Sequence, residues 1–461
     1  MQRECLDEFY KWKNKRKRKP LILMGARQVG KTWLMEEFAK REFPNDSVLV
    51  NFMRKRTLCQ QMEKGDIDPD GLIRLLQTAT GKRIVPGKTL LLLDEIQECP
   101  SALTSLKFFY EDMPELAVVA AGSLLGLSYG STGDGNRKKA GVESFPVGKV
   151  DRLNVHPMTF VEYLLAAGKA SLVEAVRAED WKTVRLLSDE YIRELKYYLV
   201  VGGMPEAVDD WVSTGSLAEA RRTQLNILAD YDEDFKKHAP VEILPKIRLL
   251  WNNVPSQLAK ENKKFIYSAL RPGARAREYE VALEWLKDAG MVLMLNRVCP
   301  PRLPISHYAD MGAFKLYVHD VGLLGAMSSL DPSVVLEGNA LFTNFKGALT
   351  EQFVLQELAA RNVCAGYWTP DEGISEVDFV VQGTDTVYPL EVKSSTNTKA
   401  KSLAVYTKMY GPRFAIKSSL KNFSDSLDVR SLPLYALGLC IRKMIGLDVA
   451  IKEEKAWSTT S

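Results

Sequence analysis

Leu21-Ile22-Leu23-Met24-Gly25-Ala26-Arg27-Gln28-Val29-Gly30-Lys31-Thr32 is the stretch on which the fold turns. An apolar run ends at Gly25, and Gly30-Lys31-Thr32 opens a helical pattern carrying Leu34 and Phe38 on one face. The spacing is G-x-x-x-x-G-K-T between a strand and a helix, the context in which this pattern forms a phosphate loop. Glycine at 25 and 30 lets the backbone wrap an anion with no Cβ in the way. Successive N–H groups of the loop and the N-terminus of the following helix offer it partial positive charge. Gly25, Ala26, Arg27, Gln28, Val29, Gly30, Lys31 and Thr32 are therefore the expected nucleotide-binding set. Lys31 is expected to reach the β and γ phosphates, and the Thr32 hydroxyl to hold Mg²⁺. A glycine turn that merely precedes a Lys-Thr helix is the plain alternative. The strand and helix on either side of the motif speak against it.

Downstream, Thr89-Leu90-Leu91-Leu92-Leu93-Asp94-Glu95 places two acids after four leucines. Consecutive leucines predict a strand buried on both faces, as in a parallel sheet. Its carboxyl end is where open α/β sheets place their ligands. This is a Walker B pattern, in which Asp94 would hold Mg²⁺ and Glu95 would orient and deprotonate the attacking water. A short strand at Val48–Phe52, a helix at Ser101–Glu111 and a strand at Leu116–Ala121 complete the layout, with Val147–Val155 as the last strand. A strand between the two motif strands marks the additional-strand, catalytic-glutamate group of P-loop ATPases. Ser123, at the end of Leu116–Ala121, is then the candidate sensor of the γ-phosphate. Catalytic expectations fall on Lys31, Glu95 and Ser123, with ATP and Mg²⁺ as the cofactors.

The remaining composition sets bounds. At 461 residues the chain is too long for one ordinary domain. Apolar and charged contents of 46% and 26% are those of a globular protein. No run of apolar residues is long enough to span a membrane. The charged first ten residues lack a signal core, so a cytoplasmic location is expected. Six scattered cysteines contain no CxxC pair, and the four histidines are dispersed, which argues against a zinc site. Net charge is only +4, but seven of the nine residues Lys11–Lys19 are basic. That run suits an anionic partner or a solvated helix end equally well.

Residues 157–255 read as mostly helical, with segments at Thr159–Ala167, Ala170–Ala178, Ser188–Val201, Leu217–Asp234 and Leu244–Leu258, and a turn at Gly202-Gly203-Met204-Pro205. Residues 256–332 give helix, helix (Ala276–Ala289) and strand (Met291–Arg297), the order of a winged helix. Arg271, Arg275 and Arg277 stand where a DNA-reading helix would contact its target. The expected fold class is α/β. A P-loop parallel sheet of the AAA type fills 1–155 and a helical lid or linker fills 156–255. A winged-helix-like segment takes 256–332, an α/β restriction-endonuclease-like domain takes 333–445, and 446–461 form a tail.

The second constellation lies in that C-terminal domain. On a helix at Asn344–Arg361, Glu351 shares a face with Val354, Leu355 and Leu358, where a carboxylate is costly without a partner. Glu376-Val377-Asp378-Phe379 and Glu391-Val392-Lys393 flank a turn, and a hairpin would bring Asp378 to Glu391. Two carboxylates and a carbonyl can hold a second Mg²⁺ or Mn²⁺, and a lysine can position a water that attacks a phosphodiester. Glu351, Asp378, Glu391 and Lys393 are the candidate nuclease-like site. An E-x-K strand with a surface salt bridge is the ordinary alternative, so whether the centre cuts stays open.

In sequence order, Gly25–Thr32, Leu92-Leu-Asp-Glu-Ile-Gln97, Gly122-Ser123, Gly202-Gly-Met-Pro205, Lys346-Gly-Ala-Leu-Thr-Glu351, Glu376-Val-Asp-Phe379 and Glu391-Val-Lys-Ser394 resemble the prokaryotic AAA-type ATP-binding proteins that carry a C-terminal domain of unknown function. The resemblance covers nearly the whole chain. It implies an ATPase core, a winged-helix-like middle and a nuclease-like C-terminal domain. It yields no convincing arginine finger; Arg152 qualifies by location only, so a homo-oligomer stays open. Two functions follow. One is an ATPase whose nucleotide state controls a nucleic-acid-directed module acting on DNA. The other is an ATP-gated scaffold or signalling switch with a degenerate nuclease fold and a protein partner.

Overall fold

A computed structural model describes residues 2–64, 68–122, 146–260, 263–337, 343–372, 374–394 and 401–448. The chain divides into two compact units. One holds Arg3–His156 with Asp288–Met291; the other holds Pro157–Lys287 and Val292–Ser461 together with Met1–Gln2.

The first unit is built on a five-stranded parallel sheet. Its strands are β1 (Leu21–Met24), β2 (Ser47–Asn51), β3 (Leu90–Asp94), β4 (Ala117–Ala121) and β5 (Asp151–Asn154). They lie in the order β2-β3-β4-β1-β5, so β4 stands between the two motif strands, as expected. Every residue of β3 and β4 is buried. This explains their unbroken apolar sequence, since helices cover both faces of a parallel sheet. The register sets Asn51 opposite Asp94 at the carboxyl ends of β2 and β3.

The N-terminal helix is Leu6–Lys13. It buries Leu6, Phe9 and Trp12, with the Phe9 ring 5.0 Å from that of Phe38 on the phosphate-loop helix Lys31–Glu42. Five of the seven basic residues of this run have partners within their own unit, Lys11 pairing with Glu8. Lys13 pairs with Glu42 at 2.5 Å and Lys15 with Asp151 at 3.0 Å. Arg18 and Lys19 donate to the carbonyls of Glu115 and Gly148. Of the two readings of Lys11–Lys19, these contacts favour the bland one.

The second unit joins helices to an eight-stranded mixed sheet. The helices expected at Ser188–Val201 and Leu244–Leu258 have those bounds. Phe160–Ala166 is closed by a reciprocal capping box of Thr159 and Glu162. Two further helices, Trp181–Leu186 and Pro205–Thr214, lie between the expected ones. The strands are β6 (Val292–Val298), β7 (Ala309–Val318), β8 (Ala365–Trp368), β9 (Val377–Gln382), β10 (Val387–Val392), β11 (Ala415–Ser419), β12 (Ser424–Asp425) and β13 (Val429–Pro433). Their order is β12-β13-β11-β10-β9-β8-β6-β7.

The strand expected as a wing is thus β6 of this sheet. It pairs antiparallel with β7 and parallel with β8. Arg271 is ion-paired with Glu278 at 2.6 Å. The expected hairpin is present as β9 and β10, antiparallel, with β11 parallel to β10 on the other side. All six residues of β10 are buried, because it is an interior strand. Helix Thr343–Ala360, β8, β9, β10, helix Lys401–Tyr410 and β11 follow in chain order. Among the described residues no helix is long and apolar enough to cross a membrane.

Candidate functional site

The phosphate loop leaves β1 through Gly25, whose φ is +133°. A Cβ at this position would stand 2.2 Å from the Val155 carbonyl oxygen, so both the dihedral and the close approach require glycine. Gln28 and Gly30 also take positive φ, of 63° and 91°. Left-handed residues within a loop curl it so that its N–H groups form an anion-binding concavity. Gly290, in the segment Asp288–Met291, lies against the loop; a Cβ there would be 3.0 Å from the Ala26 nitrogen.

The Lys31 ammonium donates to the carbonyls of Gly25, at 2.8 Å, and Ala26, at 2.6 Å. Burial pushes its pKa down to about 8, against the nearby charges of Glu95 and Asp94. Two carbonyl dipoles hold this charge, and an incoming phosphate would offer it a full counter-charge.

The Thr32 hydroxyl lies 3.2 Å from both carboxylate oxygens of Asp94, and Asn51 Nδ2 donates to Asp94 Oδ2 at 3.0 Å. Burial raises the Asp94 pKa, and the charge of Glu95 adds to this, while the bonds from Thr32 and Asn51 work the other way. A hydroxyl and a buried carboxylate face to face are hard oxygen donors of the kind Mg²⁺ takes, and a divalent ion would offset the cost of burying Asp94. The residues fit the ion.

Glu95 follows β3 in the left-handed region, with φ +52°. Its carboxylate accepts a bond from Gln97 Nε2 at 2.5 Å. Ser123 lies outside the described residues. Arg152 is exposed on β5.

The C-terminal candidates also come together. Asp378 is close enough to Glu351, Glu391 and Lys393 for their charges to act on it. Burial pushes the Asp378 carboxyl up, and the charges of Glu351 and Glu391 push in the same direction. The Val392 N–H donates to Asp378 Oδ2 at 2.8 Å, which fixes the hairpin partner across from β10. Glu391 Oε1 pairs with Lys393 at 2.6 Å. Glu391 Oε2 is buried and has no hydrogen-bond partner among the described residues.

Three residues not singled out from the sequence complete the cluster. Lys263 forms an ion pair with Glu351 Oε1. Tyr317 donates to Glu351 Oε2 at 2.9 Å. Lys315 is fully buried, 2.7 Å from Glu376 and 3.6 Å from Glu351 Oε2. Burial opposes ionisation of Glu351, but Lys315 and Lys263 outweigh it and hold its pKa below the usual carboxylate range. Lys315 sits in Phe314-Lys315-Leu316-Tyr317-Val318. A single charge inside an apolar strand was the available signal. As donors to a divalent ion the set fits only in part. Asp378 and Glu391 can offer oxygens, whereas both oxygens of Glu351 are taken. Among the described residues no three His, Cys, Asp or Glu side chains converge as a metal-binding group.

The Gly202-Gly203-Met204-Pro205 turn has a packing explanation. A Cβ on Gly203 would stand 2.1 Å from the Met158 carbonyl. The Gly203 N–H donates to the buried carboxylate of Asp320 at 2.6 Å, and the same carboxylate caps the helix Val321–Met327 through the Leu323 N–H at 2.9 Å.

Residues 17–164, which include most of the first unit, match the family described as AAA domain. Residues 192–334 and 346–436 match two families described as domains of unknown function (DUF8612 and DUF4143). No curated protein matches the chain. Solved structures that resemble it include the Walker-type ATPase PABY2304 of Pyrococcus abyssi, at 13% identity and a TM-score of 0.40 over 70% of this chain and 95% of that one. The ORC1 protein of Aeropyrum pernix, solved in complex with DNA, matches at 12% identity and a TM-score of 0.26 over 72% and 94%. The signal transduction ATPase PH0952 of Pyrococcus horikoshii, a STAND protein with a tetratricopeptide repeat sensor, matches at 14% and 0.23 over 77% and 45%.

Proposed function

We propose that the chain is a Mg²⁺-dependent ATPase whose nucleotide state controls the C-terminal module. The observation that carries the reading is the Thr32 hydroxyl facing the Asp94 carboxylate at 3.2 Å, with Lys31 and Glu95 next to them in sequence. In this reading the loop N–H groups bind the β and γ phosphates, and Lys31 leaves the carbonyls of Gly25 and Ala26 to join them. Mg²⁺, when bound, supplies positive charge to the phosphate oxygens. Glu95 leaves the Gln97 amide to take a proton from the attacking water. Control of the remainder has a route in the chain itself. Segment Asp288–Met291 belongs to the P-loop unit, while the chain before and after it belongs to the other.

ATP turnover by the purified chain tests this. Glu95→Gln should keep nucleotide binding and lower turnover about a hundredfold or more. Lys31→Ala should lose both. Turnover unchanged in both variants would remove the site assignment.

For the C-terminal module, the order helix, β8, β9, β10, helix, β11 and the cluster around Asp378 support a restriction-endonuclease-like fold. The commitment of Glu351 to two lysines favours the scaffold or switch reading, with a protein partner, over a Mg²⁺ or Mn²⁺ nuclease acting on DNA. Cleavage of DNA by the wild-type chain that is lost in Glu391→Ala would reverse that preference. The six cysteines are all free thiols, which supports a reducing, cytoplasmic setting.

A further inference from the structure

We propose that Lys263 and Lys315 are built-in counter-cations that withhold Glu351 from a divalent ion and so keep the C-terminal carboxylate cluster a weak metal site. The inference rests on the restriction-endonuclease-like reading of this sheet and goes beyond it, because neither lysine belongs to the motif that defined the site. Four carboxylates, Glu351, Glu376, Asp378 and Glu391, gather around three ammoniums, Lys263, Lys315 and Lys393. Each lysine has a defined target. Lys263 holds Glu351 Oε1, Lys315 bridges Glu376 and Glu351 Oε2, and Lys393 holds Glu391 Oε1. Tyr317 takes the remaining direction on Glu351 Oε2.

Divalent-ion affinity is set by the number of charged oxygens that can turn towards the ion. A buried carboxylate held by ammoniums cannot turn without leaving those charges uncompensated in a low-dielectric interior, which is strongly unfavourable. Asp378 and Glu391 can therefore offer oxygens, the orphaned Glu391 Oε2 among them, while Glu351 cannot. The two lysines come from segments far apart in the chain. Lys315 is on β7 and Lys263 lies just ahead of Phe265, whose N–H donates to the Phe314 carbonyl of the same strand. The neutralising charge thus enters from the β7 edge of the sheet, not from the hairpin that carries Asp378 and Glu391.

Mn²⁺ titration of the nucleotide-free, full-length chain, followed by electron paramagnetic resonance, tests this. The component to read is the one abolished by Glu391→Gln, which separates it from any ion at Thr32 and Asp94. Lys263→Met should strengthen that component about tenfold or more, or create it where the wild type shows none. The gain should vanish in Lys263→Met/Glu351→Gln. Lys263→Gln, which removes the charge but keeps a polar side chain, should show the same gain, and this variant keeps the proposal testable if Lys263→Met does not fold. A lysine variant that binds no tighter than wild type would overturn the inference, as would a gain that survives loss of Glu351. Nuclease activity is scored separately: DNA cleavage would refute the scaffold reading, whereas these Mn²⁺ affinities alone decide the role of the lysines.

Discussion

Replacing Asp320 with Asn should change the stability of the C-terminal unit in a pH-dependent way. Asp320 is fully buried, and its carboxylate accepts the N–H groups of Gly203 and Leu323. Burial pushes its pKa up to about 6 from an ordinary value of 3.8, although those backbone donors pull the other way. Between these two values the folded chain keeps a proton that the unfolded chain has released. Stability therefore falls as pH rises from about 4 to about 6, and Asp320 contributes no slope outside that window. A gap of roughly two pKa units corresponds to about 3 kcal/mol, undiminished by solvent because the side chain is enclosed. Asn cannot ionise, so it removes that slope. It keeps only one acceptor oxygen, so one of the two N–H groups loses its partner, at a cost of about 1–3 kcal/mol. The variant should be the weaker protein near pH 4 and should match or exceed wild type above about pH 6.5. Urea unfolding followed by the fluorescence of Trp181, Trp211, Trp251, Trp285 and Trp368, all in this unit, measures the difference across pH. Taking variant minus wild type cancels the other titrating groups. A difference that stays flat with pH, or moves against the variant as pH rises, would refute the assignment of a costly buried charge to Asp320.

Three further substitutions test the close approaches and the metal pair. Gly203→Ala places a Cβ 2.1 Å from the Met158 carbonyl, and should destabilise the same unit by about 3 kcal/mol or more in urea unfolding. Gly25→Ala meets the Val155 carbonyl at 2.2 Å with a positive φ, and should abolish binding of a fluorescent ATP analogue while Gly81→Ala, with open space around its Cβ, leaves that binding intact. Thr32→Ala should retain ATP binding measured by calorimetry without Mg²⁺ but lose most of the strengthening that Mg²⁺ brings; full strengthening would mean that the hydroxyl is not a ligand.

The sequence by itself determined the elements whose residues must satisfy a local rule. Gly25–Thr32 reads as a phosphate loop because its glycines, lysine and threonine are each required at that spacing. β3 reads as an interior strand because Leu90–Leu93 leave no polar face. Helices Ser188–Val201 and Leu244–Leu258 have the expected bounds, and the pairing of Asp378 with the E-x-K strand followed from one short turn. Tertiary structure alone decided where buried charges find partners. Lys263 and Lys315 reach the Glu351 cluster from two separate segments, and no periodicity within either of them reports the other. The same holds for β6: its apolar run Met291–Leu295 announces a strand, but whether it closes a wing or extends a sheet depends on β8, nearly seventy residues further on. The Gly202-Gly203 turn is a third case, since its glycines answer to Met158 and Asp320, which lie far from it in sequence. Local patterns record backbone conformation and which face is apolar. Charge compensation and close backbone approach are properties of pairs, and a pair distant in sequence leaves no mark on either member alone.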